Sequence, residues 1–377
     1  MSVLFRLLVI MTCAAPLRAA QVWVVGDLEK VHPVSGAILN KTWNSFKPDK
    51  TCRTSNFHWD GLSKKVRLEG ARGEVLGFQV IVERTASTER LTGLHLILSD
   101  LEGPARIESR SAAEMFRTYY LKGGLPGVLV PLSRAREWDN FTLPDPQRLG
   151  FENNSQAIWV DLHVPREAPA GDYRGCLTVA ADQFTEPERL EVDLRVWNIT
   201  LPEEQNYDVE LNEYGTLFNN YAWSEGYQPW NRDFDWKAFS GKITPAQKEE
   251  YLTFERNAYR LCHQNRVSLN ALPYFTSGAP STIVPASVLP VLEGQGAALR
   301  VTDWSEFDRR WGPLYDGSAF SDLWRAGVPL AHHYLPICHN LPSNFGNFIT
   351  DQTAPPYWGK NPVYEAENIA FDREFER

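Results

Sequence analysis

Between Gln21 and about Thr200 apolar and polar side chains alternate along the chain. Residues 188–198 read ERLEVDLRVWN, with Leu190, Val192, Leu194 and Val196 in one row and Glu191, Asp193 and Arg195 in the other. A period of two is the mark of a half-buried strand. Residues 156–164 repeat it, setting Ile158, Val160, Leu162 and Val164 against Trp159, Asp161 and His163. Further strands are expected over 75–83, 91–98, 113–121 and 173–180. Turn signals such as Pro169-Ala170-Gly171-Asp172 separate them, and the pattern contains no helix between them. Short strands with turns at this spacing predict an antiparallel β-sandwich over residues 21–203.

Near Leu201-Pro202-Glu203-Glu204 the rhythm changes. Asp208–Gly215 predicts a strand, and Thr244, Pro245 and Gln247 form the opening of a helix with a capping box. The helix continues through Tyr251, Leu252, Phe254, Ala258 and Leu261 to about Asn265. Val267–Tyr274 is the next strand. Asp303 and Glu306 frame a second helix, with Phe307, Trp311 and Leu314 on one face, and Leu330–Ile337 reads as a third strand. A third helical stretch begins at Ala366.

Alternating strands and helices imply parallel strands joined by crossovers. A complete (β/α)₈ barrel takes roughly 250 residues, whereas 173 follow Glu204. The final Asp372–Arg377 lies within an amphipathic pattern that has no C-terminal cap. The expectation is a chain cut part-way round a barrel. The expected fold class is therefore multidomain, β plus α/β: an antiparallel β-sandwich followed by an incomplete (β/α) TIM-type barrel over 204–377.

Composition narrows the function. The chain has 377 residues, 43% hydrophobic and 23% charged, which excludes disordered and fibrous classes. A net charge of −9 argues against a nucleic-acid partner, which needs a basic face. The 13 Trp, 14 Tyr and 19 Phe beside 3 Met offer flat faces of the kind that sugars stack on. Residues 1–20 read as a cleaved export signal, with Arg6, a short apolar run from Leu7 to Ala15, and Ala19-Ala20 at the cleavage region. That predicts a secreted or periplasmic protein without a membrane span. Cys52, Cys176, Cys262 and Cys338 match no zinc or redox spacing and imply no particular pairing. Asn40, Asn140, Asn153 and Asn198 open glycosylation triplets. Gly-rich phosphate loops, Gly-x-Ser-x-Gly and His-Glu-x-x-His do not occur in the sequence.

Several stretches carry a family resemblance. Ala71-Arg-Gly-Glu-Val-Leu-Gly-Phe-Gln-Val resembles the first strand signature of the N-terminal sandwich in glycoside hydrolase family 123-like proteins. Trp159-Val-Asp-Leu-His-Val-Pro and Ala168-Pro-Ala-Gly-Asp-Tyr-Arg-Gly resemble its later hairpin, and Val196-Trp-Asn-Ile-Thr-Leu-Pro its exit into the catalytic barrel. Glu210-Leu-Asn-Glu-Tyr-Gly, the Tyr259–Asn270 stretch and Gly312-Pro-Leu-Tyr-Asp-Gly-Ser-Ala-Phe extend the resemblance, which spans most of residues 70–340. It implies an exo-acting, retaining β-N-acetylhexosaminidase of the N-acetylgalactosaminide type, using substrate assistance. In that chemistry the substrate's acetamide oxygen attacks the anomeric carbon. An Asp-Glu pair orients the acetamide and protonates the leaving oxygen, and no metal or organic cofactor takes part. The implied partner is carbohydrate, a terminal N-acetylated amino sugar. No Asp-Glu dipeptide occurs in these residues, so none inherits the catalytic role. The alternative is a non-catalytic exported protein for glycan binding or surface assembly.

Candidate substrate-binding residues sit where barrel sites are built, at the C-terminal ends of strands. Asn212, Glu213 and Tyr214 follow the first strand, and Asn270 and Tyr274 belong to the second; ordinary strand packing is the competing reading. His332, His333 and Tyr334 fall on the third strand. Alternation sends the two histidines to opposite faces, so at most one looks inward, and His332 and Tyr334 are the candidates. A metal cluster of His332-His333 with Cys338-His339 matches no ligand spacing. Cys262-His263 reads as a buried thiol beside a surface imidazole. Trp223, Trp230, Trp236 and Trp358 could line a sugar wall or anchor their loops. Trp159 and Trp197 are expected to pack between sandwich and barrel, and Glu186 and Glu188 to be solvated charges.

Overall fold

The computed structural model describes residues 19–39, 46–47, 51–85, 90–121, 124–131, 141–145, 152–205, 209–214, 244–272, 290–294, 296–333, 370 and 373–374. The chain divides into two compact units, Met1–Leu201 and Pro202–Arg377.

Unit one begins with β1 (Ala20–Gly26), β2 (Ile38–Leu39), β3 (Phe46–Lys47), β4 (Trp59–Asp60), β5 (Lys65–Arg72) and β6 (Val75–Arg84). It continues with β7 (Leu91–Leu98), β8 (Leu101–Glu102), β9 (Arg106–Ile107) and the one-turn helix α1 (Ser109–Ala112). Then come β10 (Ala113–Tyr120), β11 (Pro126–Pro131), β12 (Phe141–Leu143), β13 (Ser155–His163), β14 (Gly171–Ala180) and β15 (Glu188–Thr200). One sheet runs β1-β6-β13-β10-β11, and the other β12-β7-β14-β15-β5-β4 with β8 and β9 attached. The alternating rows do what their period requires. Leu190, Val192, Leu194 and Val196 are buried from one sheet, and Ile158, Val160, Leu162 and Val164 from the other. Each such side chain contributes roughly 1.5–3 kcal/mol by leaving water.

Two features correct the expected all-antiparallel sandwich. β15 runs parallel to β5, with Val192 opposite Val66 and Leu194 opposite Leu68, and α1 intervenes among the strands. The chain passes from one sheet to the other between β5 and β6, where Gly73 takes φ 79° and its N–H donates to the Val164 carbonyl at 2.7 Å. That left-handed turn suits a residue without Cβ.

A second layer covers the outer face of the five-stranded sheet. Trp23, Ile81 and Ala157 are buried there beside Val31. Arg53 lies 5.1 Å over the Trp23 ring and grips Glu83 through Nε–Oε2 at 2.7 Å and Nη2–Oε1 at 3.0 Å. Asn56 Nδ2 donates to the Val24 carbonyl at 2.7 Å, closing part of the β1 edge.

Unit two contains β16 (Glu210–Tyr214), α2 (Pro245–Gln264), β17 (Ser268–Leu272), β18 (Val291–Glu293), β19 (Arg300–Asp303) and α3 (Ser305–Tyr315). β16 and β17 pair in parallel across α2, which is one βαβ unit. β18 and β19 are antiparallel. No closed barrel forms among the described residues. Leu330–His333 is irregular rather than a strand, because the chain after α3 continues through turns.

α2 starts as the sequence dictates. Thr244 Oγ1 accepts from Gln247 N at 3.2 Å, and Gln247 Oε1 accepts from Thr244 N at 3.0 Å. Its buried stripe is Tyr251, Glu255, Tyr259 and His263, spaced four apart. Phe254 and Leu261 instead stay 36% and 52% exposed. Phe307, Arg310, Trp311 and Leu314 of α3 pack inward, with Tyr259, Leu269 and Phe320 in the same cluster. Trp304, not Asp303, occupies the cap position, while Asp303 Oδ1 accepts from Ser305 N at 2.8 Å.

Candidate functional site

Among the described residues of unit two, the parallel register brings candidate residues together. Asn212 lies opposite Asn270, Glu213 opposite Ala271, and Tyr214 opposite Leu272. Leu269 packs into the cluster beneath α2. Strand alternation therefore puts Ser268 and Asn270 in the other row, and both are buried, at 2% and 3% exposure. Asn270 thus places a buried amide on the row away from the helix, a kind of group that binding sites use to fix orientation. Asn212 and Tyr214 occupy backbone positions in the Asn270 row, whereas Glu213 falls in the row of Leu269. The three consecutive residues cannot all serve one face. Tyr274, Tyr334 and Trp358 lie outside the described residues, as do Trp223, Trp230, Trp236, Cys338 and His339.

The histidines correct the sequence reading. His332 is exposed, and His333 turns into the helix layer. Its ring lies 4.5 Å from Trp311 and 6.2 Å from Tyr259, and its Nδ1 meets the Tyr315 hydroxyl. Burial, aided by the Arg310 charge, pulls its pKa down to about 4. His263 behaves alike. It stacks on Phe320 at 3.8 Å, is 2% exposed, and burial followed by Arg325 lowers its pKa to about 4. The imidazole, not the half-buried Cys262 thiol, is the buried member of that pair. Both histidines are neutral packing groups at pH 7.

Among the described residues, Asp161 of β13 is a carboxyl raised far from its ordinary range. It accepts from Trp159 Nε1 at 2.6 Å, and burial pushes its pKa up to about 6, with Glu114 and Asp27 adding to the rise. Gly77 stands opposite Asp161 in β6, and a Cβ there would lie 3.0 Å from Asp27 Cβ and 3.4 Å from Asp161 Oδ1, so the two carboxylates fill that space. Alternation gave Asp161 to the outer row but could not show the cover on it. Among the described residues no group of three or more His, Cys, Asp or Glu is placed to hold a metal. No described helix is long and apolar enough to cross a membrane. Cys52, Cys176 and Cys262 are each half-buried. Glu188 is not a solvated charge, since its carboxylate meets Lys64 Nζ. Trp197 is 41% exposed, and Asn153 is fully buried while Asn198 is exposed.

No protein-family model matches the chain, and no curated protein does. Among solved structures it is similar to a family 123 glycoside hydrolase from Clostridium perfringens that hydrolyses glycolipid glycans. The two share 14% identity at a TM-score of 0.43, over 67% of this chain and 38% of that one. The chain thus spans well under half of that relative. It is also similar to the CooA pilin subunit of enterotoxigenic Escherichia coli, at 14% identity and TM-score 0.23 over 38% of this chain and 94% of the pilin. A DUF4466 family protein from Parabacteroides merdae matches at 9% and 0.23, over 49% and 46% of the two chains. Likenesses of this size describe no shared reaction.

Proposed function

We propose that the chain is part of an exported carbohydrate-active protein that handles terminal β-linked N-acetylated amino sugars. The single observation supporting a sugar site is the in-register pairing of Asn212 with the buried Asn270 on the row away from α2. Amides both donate and accept, which suits hydroxyl and acetamide groups. The motifs resembling family 123 hydrolases favour a substrate-assisted, retaining reaction without metal. In it the acetamide oxygen attacks C1 and a carboxylic acid protonates the departing oxygen. That acid is not assigned to any residue of this chain.

The test is sugar release from p-nitrophenyl β-N-acetylgalactosaminide and β-N-acetylglucosaminide by the whole gene product. Release of neither, with glycan binding retained, would favour the second reading, a non-catalytic glycan-binding protein. Export is tested by N-terminal sequencing of protein recovered outside the cytoplasm, which should begin near Ala20 or Gln21.

A further inference from the structure

We infer that the sandwich carries its own binding site for a neutral, polyhydroxylated small ligand, separate from the β16–β17 pair. A cavity of about 390 Å³ opens where β1 begins, β6 finishes, the β4–β5 turn folds over and β15 starts. Small-molecule sites typically occupy roughly 300–1,000 Å³. Gln21, Arg53, Trp59, Lys64, Thr85 and Glu188 contribute to its wall, drawn from both sheets.

The wall is locked in place. Lys64 adopts the left-handed φ of 53°, uncommon for a residue with a side chain. Its carbonyl accepts from Glu191 N at 2.9 Å, and its Nζ meets the Glu188 carboxylate at the head of the same strand. Opposite them, Gly61 approaches so closely that an added Cβ would lie 2.9 Å from Thr54 O and 3.0 Å from Trp59 Nε1. Trp59 Nε1 is itself fixed, donating to the Arg53 carbonyl at 3.0 Å. Non-glycine left-handed residues concentrate where a binding geometry is over-determined by its surroundings.

Charge balance selects the ligand. Arg53 is matched by Glu83 and Lys64 by Glu188, so each of these cations has a carboxylate partner. A charged ligand gains one ion pair here only by breaking another, a net change near zero for pairs that are partly exposed. Hydroxyl groups avoid this, because they donate to Glu188 and accept from Lys64 while both stay paired. The Gln21 amide and Thr85 hydroxyl add further donors and acceptors. The side chains of Lys64 and Glu188 keep 38% and 15% of their surface exposed, enough to be reached.

The test is calorimetric titration of the whole chain with glucose, galactose, N-acetylglucosamine and N-acetylgalactosamine. Glucosamine and glucuronic acid serve as cationic and anionic analogues. At least one neutral sugar should saturate the protein at about 10 mM or below, and the charged analogues should bind at least about tenfold more weakly. Glu188→Gln, Lys64→Met and the exposed Gln21→Ala should each weaken the neutral sugar about tenfold, while Glu102→Gln, exposed and away from the cavity, leaves it unchanged. Failure of every neutral sugar to saturate overturns the site. So does equal binding by the folded variants. Equal affinity for the charged analogues overturns the neutral-ligand assignment. None of these outcomes depends on whether the protein hydrolyses a glycoside.

Discussion

Arg310 and Glu255 meet as a two-pronged ion pair inside the helix layer, Nε to Oε1 at 2.9 Å and Nη2 to Oε2 at 2.6 Å. Tyr251 donates its hydroxyl to the same carboxylate at 2.9 Å, and Arg310 lies 4.5 Å over the Trp311 ring. Both charged side chains are 4% exposed. Removing either one strands the other in apolar surroundings, so Arg310→Met or Glu255→Leu alone should cost about 3–5 kcal/mol of unit-two stability. The double replacement should recover most of that loss. Urea unfolding followed by α2–α3 tryptophan fluorescence measures all three, and near-additive costs would show that the pair is not coupled.

Asp161 predicts an acid-side gain. Its folded pKa is raised to about 6, so the unfolded chain holds fewer protons there than the folded one. The associated stability is fully present below about pH 4 and is lost as pH rises through 6. Asp161→Asn should therefore raise stability at pH 7.5 by on the order of 1–3 kcal/mol, seen as a higher melting temperature, and change little at pH 4. Thermal melts at the two pH values check this.

The histidines predict the reverse. His263 and His333 both have pKa values depressed to about 4, so their contribution is present above pH 6.5 and lost as pH falls toward 4. His333→Phe should flatten the acid-side loss of stability between those limits. An unchanged pH profile would mean that the imidazole is charged, or accessible, in the folded state.

Glycosylation separates two of the sequence triplets. Asn153 is fully buried, with Oδ1 accepting from Asp145 N at 2.8 Å, whereas Asn198 is exposed. Expressed through a glycosylating secretory pathway, the folded fraction should carry glycan at Asn198 and none at Asn153. Glycopeptide mapping reads this directly.

Alternation made β6, β7, β10, β13, β14 and β15 legible, because each presents at least one face to a single core. β1 was not, since Ala20–Gly26 is a nearly continuous apolar run buried under a second layer and carries no period of two. Nor could the pattern reveal that β5 pairs in parallel with β15, because alternation describes faces and not neighbours. In α2 the buried stripe includes Glu255 and His263, whose partners Arg310 and Phe320 come from later in the chain. A search for apolar spacing passes over those two and selects Phe254 and Leu261 instead. Of the candidate residues, Asn212 and Asn270 were placed on two strands that form, but alternation could not give the register that sets them opposite one another; His332 was preferred to His333 on the strength of a strand that the chain does not form there.

The parallel seam between β5 and β15 also sets an order of events. β15 is the strand that joins β14 on one side to β5 on the other. Until the ribosome has delivered it, the larger sheet exists as two strand groups with nothing between them. Its completion waits for a partner more than a hundred positions away in the chain, a separation that slows folding and leaves apolar rows open to chaperones during synthesis. The last strand of the sandwich to be made is the one that turns two fragments into a sheet.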